Sequence, residues 1–280
     1  MDAKTCLNQF RTEYQHRFKV GTLKNYCSDI NQFLQYEDKA IDKITKRDIR
    51  NWLTFLSTEK GYLPSTLNNK IKALKNFFCF CREEGFIPQD IAKDINFVYR
   101  EEKLPRYLTK EQLTALRELL KGKIQERAVM EVLYCTGVRI SELIAMKKSD
   151  VNWTERTITI PNGKGDVGRY VLFTSECEQH LKAYLDSRTD DLPDVFVLSN
   201  TVGVTKHPNV VGEWFRYYSR SLGVKVSPHT MRHTFAAHLA QKGMPLECIQ
   251  ELMGHANFQT TRIYAKLYDH ARKEMYDEWM

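Results

Sequence analysis

The chain lacks several features that would assign it to other classes of protein. Its longest apolar runs, such as FFCFC at residues 77–81, are far too short to span a membrane. The first ten residues, MDAKTCLNQF, have no basic segment followed by an apolar one, so we expect no secretory signal peptide. The seven cysteines have no paired spacing beyond the CxC of Cys79 and Cys81, which fits neither a zinc ribbon nor a thioredoxin-like motif. We therefore expect free thiols in a cytoplasmic protein that has no membrane partner.

Two catalytic signatures are also missing. The phosphate-binding loop GxxxxGK[ST] does not occur, although Lys164 stands between two glycines. The zinc motif HExxH does not occur either. His229 and His233 are spaced like a pair of zinc ligands, and His255 would be a distant third. A zinc enzyme is therefore one alternative, but nothing beside the pair supplies the glutamate that such a site needs.

Acidic residues are slightly outnumbered by basic ones. The 280 residues include 42 lysines and arginines and 35 aspartates and glutamates, for a net charge of +7. This balance favours a polyanionic partner, although many proteins without one have a similar excess. The length is sufficient for two modest domains.

The first hundred residues show helical patterns and no strand pattern. Three amphipathic segments follow candidate N-caps at Thr22, Thr45 and Ser65, and a shorter helix is expected over residues 5–18. Four helices in this length predict a small bundle.

Basic side chains lie along the last of these helices. Because DNA-binding proteins contact phosphates mainly through lysine and arginine, these side chains are candidate DNA contacts. A solvated helix face with no ligand is the alternative for each of them. The candidates are Lys70, Lys72, Lys75 and Arg82.

The charged segment at residues 99–108 is predicted to be a linker. It contains Pro105, which favours an extended conformation for the residue before it. We expect one domain at residues 1–98 and another at residues 109–280.

The second domain is predicted to be mostly helical with one small antiparallel sheet. Thr109 and Gln112 form a capping box at the start of its first helix. TITI at residues 157–160 and RYVLF at residues 169–173 predict a hairpin with a glycine-rich tip. The fold class is therefore mainly α, with a helical bundle followed by this mixed domain.

Six residues have the chemistry that transfer of a phosphoryl group requires. A phosphodiester is anionic, and its oxygens gain further negative charge in the transition state. The reaction therefore needs permanent cations, a nucleophile and a proton donor for the leaving oxygen. Arginine suits the first task, since its planar guanidinium can bind two phosphate oxygens at once. The candidates are Arg139, Lys164, His229, Arg232, His255 and Tyr264.

Spacing brings two of the candidates together. His229 and Arg232 lie three residues apart in a helix predicted to begin after Ser227, so their side chains share one face. His233 and His238 fit the pattern less well, and we expect both to be structural histidines.

Three of the remaining candidates also have a simpler explanation. Tyr264 needs cations or a base to become nucleophilic, because a tyrosine hydroxyl has a pKa of about 10, and packing is the ordinary role of a tyrosine. Arg139 has Glu142 three residues on as a salt-bridge partner. Lys164, at the hairpin tip, can enter a DNA groove and protonate a leaving oxygen, or it can be an exposed lysine without a ligand.

The order and spacing of four motifs resemble the tyrosine recombinases, also called the phage integrase family. The motifs are TGVRISEL, GKG, HTMRHTFAAHL and LMGHANFQTTRIY, and the match covers residues 105–270 approximately. The helical N-terminal part is similar to the SAM-like core-binding domain of the family. The chain starts almost directly with these helices, which favours the two-domain Xer-like architecture over one with an additional arm-binding domain.

The resemblance implies a mechanism, because the active set of the family falls on all six candidates. Tyr264 would attack the scissile phosphate to form a 3′-phosphotyrosyl link and release a 5′-hydroxyl. The two arginines would stabilise the phosphorane-like state, and Lys164 would protonate the leaving oxygen. His229 would assist proton transfer, and His255, which some relatives replace with Trp, would orient a phosphate oxygen.

The resemblance also implies partners and a role. These are double-stranded DNA recombination sites, a homo-tetramer on DNA, and accessory DNA-bending or directionality proteins, in the bacterial cytoplasm at the nucleoid. The resemblance implies that no ATP, metal or other cofactor is required. The tail after Tyr264 would dock on a neighbouring subunit or pack within its own chain. Integration, excision and resolution of a mobile element or replicon all fit, and a catalytically silent DNA-binding regulator is the alternative.

Overall fold

A computed structural model describes residues 2–99, 104–161, 168–198, 208–254 and 259–279. The chain divides into two compact units, residues 1–101 and residues 102–280. Within the described residues, no helix combines the length and the apolar character needed to cross a lipid bilayer.

The first unit is a bundle of four helices, which confirms the predicted N-terminal bundle. Its α3 begins as expected, since Thr45 and Asp48 form a reciprocal capping box. Two other predicted caps were wrong. α2 starts two residues before Thr22, and α4 starts at Pro64, whose fixed φ suits a first helical turn, rather than after Ser65. The helices are α1 (Ala3–Glu13), α2 (Val20–Glu37), α3 (Lys46–Thr58) and α4 (Pro64–Glu83).

Lys70 lies inside this bundle, and only 5% of the residue is exposed. Its Nζ donates hydrogen bonds to Asp29 Oδ1 at 2.7 Å and to Gln32 Oε1 at 2.6 Å. The same ammonium lies over the rings of Trp52 and Tyr62, at 5.6 and 5.4 Å from their centroids. The predicted phosphate contact is therefore wrong for Lys70, because its charge is buried and already paired.

The other three candidate DNA contacts of α4 differ in exposure and in the partners they already have. Lys72 is exposed. Lys75 donates to the carbonyl of Lys93 at 2.9 Å, and exposed Arg82 pairs with Glu83 at 3.3 Å. These three stay candidates for DNA contact.

The second unit combines helices with a three-stranded antiparallel sheet of order β1-β2-β3. The predicted hairpin is present as β2 and β3, with Ile158 paired to Val171. The two-residue strand β1 was not predicted. This architecture confirms the mainly helical fold class with a small sheet. The elements are α5 (Lys110–Leu119), α6 (Ile124–Thr136), α7 (Ile140–Ala145), β1 (Val151–Asn152), β2 (Thr157–Ile160), β3 (Arg169–Leu172), α8 (Ser175–Asp186), α9 (Pro208–Leu222), α10 (Pro228–Gln241), α11 (Leu246–Met253), α12 (Gln259–Arg262) and α13 (Ala265–Trp279).

α10 is the central helix of the site. It packs against α6, α9, α11 and α13, and most of its residues are buried. Met231 belongs to one apolar cluster of the unit and Phe235 to another, so the helix joins the two clusters. Side chains of α10 that are neither apolar nor exposed must therefore find polar partners within the fold.

The tail after Tyr264 packs within its own chain in this structure. α13 lies along α10, Ala271 is buried, and the Met275 side chain lies against Gly243.

Candidate active site

Arg232 is a buried cation on α10, with 4% of the residue exposed. Its Nη1 donates to the carbonyl of Gly137 and its Nη2 to the carbonyl of Met253, both at 2.5 Å. Burial and the nearby charge of Arg139 lower the pKa of the Arg232 guanidinium to about 10. Arg232 is therefore still cationic at neutral pH, in surroundings that favour the arrival of an anion.

Arg139 lies at the N-cap of α7, next to Arg232. Its Nη1 donates to Glu142 Oε1 at 2.7 Å, and its Nη2 donates to the carbonyl of Gly254 at 3.0 Å. A quarter of its side chain is exposed. The salt bridge with Glu142, considered from the sequence as an alternative to a catalytic role, is present.

Arg169, at the start of β3, is a third arginine of this cluster, and sequence reasoning missed it. Its Nη1 and Nη2 donate to the two carboxylate oxygens of Glu142 at 3.1 and 2.8 Å, and its Nε donates to the carbonyl of Leu252 at 2.9 Å. Burial opposes ionisation of Glu142, but the hydrogen bonds from Arg169 and Arg139 outweigh it and hold the pKa of the carboxyl at about 2. The only hint in the sequence was that Arg169 follows the hairpin tip.

The three guanidiniums meet at the C-terminal end of α11. The last carbonyls of a helix have no partner within the helix and carry partial negative charge, so cations are favoured there. We call Arg139, Arg169 and Arg232 the arginine collar. Its bonds go to three successive carbonyls: Arg169 to Leu252, Arg232 to Met253 and Arg139 to Gly254.

Tyr264 is fully buried, and its hydroxyl lies 2.6 Å from Nδ1 of His233. Burial raises the pKa of Tyr264, and the charge of Arg232 opposes that rise. Burial, followed by the neighbouring His229 and Arg232, lowers the pKa of His233 to about 4. Sequence reasoning had expected the arginines and His255 around this hydroxyl and had treated His233 as structural. The four-residue spacing from His229 to His233 places both on one side of α10, and sequence reasoning had considered it only as a possible pair of zinc ligands.

The remaining candidates differ in what the structure says of them. His229 is exposed in the first turn of α10, which Ser227 caps by accepting a hydrogen bond from the amide of Thr230 at 3.0 Å. Lys164 and His255 lie outside the described residues.

One group of described side chains could hold a metal ion: Glu131, Glu176 and His180. Both of its carboxylates already bind arginines. Arg117 and Arg127 donate to Glu131 at 2.8 to 2.9 Å, and Arg127 Nη2 donates to Glu176 at 3.0 Å. The group is therefore an ion-pair network.

Two family models match the chain. The model of the phage integrase family matches residues 106–271, and that of the phage integrase N-terminal SAM-like domain matches residues 7–81. The chain belongs to the phage integrase family. The resemblance expected from the four sequence motifs is thereby confirmed.

Relatives within the family match over nearly the full chain. Tyrosine recombinase XerA of Pyrococcus furiosus is 34% identical over 93% of this chain and 89% of its own length. Tyrosine recombinase XerC of Staphylococcus aureus is 31% identical over 96% of this chain and 93% of its own.

Solved structures agree with this assignment. The crystal structure of XerA recombinase is 31% identical, with a TM-score of 0.55 over 98% of both chains. A lambda integrase dimer bound to a core site has a TM-score of 0.76 at 19% identity, over 93% of this chain and 97% of that one, and shows a shared fold. The chain is a tyrosine-type site-specific DNA recombinase, which confirms the predicted function over the zinc-enzyme and silent-regulator alternatives.

Proposed function

We propose that the chain cuts and rejoins DNA through a 3′-phosphotyrosyl intermediate on Tyr264. The observation that supports this most directly is the position of its hydroxyl, 2.6 Å from His233 Nδ1 and within the field of Arg232. In the first step the tyrosine oxygen bonds to phosphorus and the bond from phosphorus to the 5′-oxygen breaks. The second step reverses this with the 5′-hydroxyl of a partner strand, so the phosphodiester energy is retained.

Arg139 and Arg232 are the proposed cations for the transition state. Their guanidiniums are fixed by backbone carbonyls and by Glu142 before any ligand arrives. Donors held in place in this way need no reorganisation when negative charge develops on the phosphate oxygens. The partial exposure of Arg139 gives the phosphate a route to this pair.

The other candidates take the roles that the family resemblance implies. Lys164 gives a proton to the leaving 5′-oxygen, His229 assists proton transfer from its exposed position, and His255 orients a phosphate oxygen. Tyr264 is fully buried. The site must therefore open around Tyr264 before its hydroxyl can reach a phosphate.

The proposed partners are duplex recombination sites and three further copies of the chain. The Tn1549 transposon integrase in complex with circular intermediate DNA and XerH bound to a palindromic difH substrate are both similar in fold to this chain. We further propose Lys72, Lys75 and Arg82 as phosphate contacts and accessory proteins that bend the DNA or set direction. The proposed role is integration, excision or resolution of a mobile element or replicon in the bacterial cytoplasm.

Covalent trapping tests the proposal. A DNA site is first selected from a random-sequence duplex pool by binding to the wild-type chain, and nicked versions of it are then offered as substrates. We expect a protein–DNA adduct that survives denaturation with the wild-type chain and none with Tyr264→Phe. The control is Tyr276→Phe, which removes a hydroxyl from an exposed tyrosine of α13. Tight binding with no adduct on any nicked site would instead support a regulator that uses the fold without catalysis.

A further inference from the structure

We infer that Arg169 is a positioning residue for strand cleavage, which holds Glu142 and the end of α11 so that Arg139 is presented to the phosphate. This inference rests on the proposed function. It adds a residue outside the six candidates, and Arg169 itself need not touch DNA.

One side chain of Arg169 joins three elements. Its backbone lies at the start of β3, paired with Ile160 of β2, and Lys164 lies between these two strands in the sequence. Its guanidinium binds both oxygens of Glu142 on α7 and the carbonyl of Leu252 on α11. The side chain is 10% exposed, so these bonds are made largely out of water, where they hold geometry more firmly than surface pairs do.

The arrangement controls the charge that Arg139 presents. Glu142 is shared between Arg139 and Arg169, and its side chain is only 7% exposed. Without Arg169 the carboxylate would pair with Arg139 alone and would offset the positive charge that the phosphate needs. Because the carboxylate is buried, water cannot replace the hydrogen bonds that it loses with Arg169.

Arg169 also packs against the turn that ends α11. Gly254 has a left-handed backbone, with φ of +60°, and a Cβ built there would lie 2.9 Å from Arg169 Nη1 and 3.0 Å from its Cδ. The Arg169 side chain therefore fills the space over Gly254, the residue that binds Arg139 and precedes the candidate His255. Loss of the Arg169 side chain would remove the packing that holds the turn at Gly254 in place.

The chain provides a matched control for the test. Arg117 also makes a bidentate contact with a buried glutamate, through Nε to Glu131 Oε1 at 2.9 Å and Nη2 to Oε2 at 2.8 Å. Glu131 is also shared with a second arginine, Arg127, as Glu142 is shared with Arg139. The pair at Arg117 involves none of the candidate site residues, so Arg117→Met reproduces the structural loss alone.

The experiment measures first-turnover adduct formation at saturating duplex, with the nicked site selected on the wild-type chain. We expect Arg169→Met to cleave on the order of 10²-fold more slowly, the size of effect known for a misplacement of about 1 Å, with the Kd for the same duplex nearly unchanged. Arg117→Met should lower the Tm to a similar degree and keep nearly the wild-type rate. Equal rate losses in the two variants, or a normal rate for Arg169→Met, would overturn the inference.

A second variant separates positioning from general loss of structure. Adding Glu142→Gln to Arg169→Met removes the charge that would offset Arg139, so the double variant should cleave faster than Arg169→Met. A slower double variant would overturn the role assigned to Glu142. If Arg169→Met does not fold, Arg169→Lys is measured in its place. Slower cleavage by Arg169→Lys at unchanged DNA affinity would support the inference, and a normal cleavage rate would overturn it. A wild-type chain that forms no adduct would overturn the proposed function itself, before any variant is compared.

Discussion

His233 should make the stability of the fold depend on pH between neutrality and mild acid. Its pKa in the native state is about 4, whereas a histidine in an unfolded chain has a pKa of about 6.5. The folded pKa is the lower one, so the unfolded chain binds more protons in this range. Stability is therefore lost as the pH falls from about 6.5 toward 4.

The magnitude follows from the shift. Each pKa unit corresponds to about 1.4 kcal/mol, so the roughly 1.5 units between pH 6.5 and pH 5 should cost about 2 kcal/mol of unfolding free energy. In the tautomer whose Nδ1 accepts from the Tyr264 hydroxyl at 2.6 Å, protonation would also remove this acceptor. Both effects act against the native state in acid.

Urea unfolding of the full chain at pH 7 and at pH 5 measures this loss. We expect His233→Gln, which keeps a polar partner for Tyr264 and does not titrate, to lose about 2 kcal/mol less than the wild type over this range. His16→Gln, at an exposed histidine of the first unit, is the control and should behave as the wild type. An equal loss in His233→Gln and wild type would refute the reasoning.

Three further predictions test other parts of the structure. Lys70→Met should lower the unfolding free energy by about 2 to 3 kcal/mol, because Asp29 loses a largely buried partner. The salt dependence of DNA binding should stay unchanged, and a smaller salt slope would show that Lys70 contacts DNA. Gly137→Ala should cost about 2 to 4 kcal/mol in denaturant unfolding, since φ is +62° and the new Cβ would lie 2.4 Å from the Phe235 ring. Lys164→Ala should slow single-turnover cleavage on the order of 10²-fold with little change in Kd; a collapse in affinity would make Lys164 a binding residue.

Local signals made much of the fold predictable. Thr45 and Thr109 cap their helices through contacts only three residues away, and Gly254 ends α11 in the left-handed conformation that glycine adopts readily. Thr22 failed as a cap because α2 begins earlier, with Lys19 at the N-cap and no side-chain hydrogen bond there. A short strand such as β1 has too few residues to show alternation.

The interior of the site was less predictable because its contacts are distant in sequence. The bond of Tyr264 to His233 spans 31 residues, and that of Arg169 to the Leu252 carbonyl spans 83. Lys70 illustrates the same limit, because its partner Asp29 lies 41 residues away. A lysine stem is apolar, so a helical pattern alone does not tell a solvated lysine from one that reaches into a buried pair.

The arginine collar makes DNA a ligand of the folded state as well as a substrate. Glu142 is the carboxylate that binds Arg139 and Arg169, while Arg232 binds backbone carbonyls alone, and burial together with the charge of Arg139 lowers the pKa of Arg232. In the unfolded chain the same side chains are hydrated and far apart, so repulsion among the guanidiniums destabilises the native state alone. An anion that binds only the native site shifts the folding equilibrium toward it. The second unit should therefore resist heat and denaturant more strongly in the DNA complex than in the isolated chain.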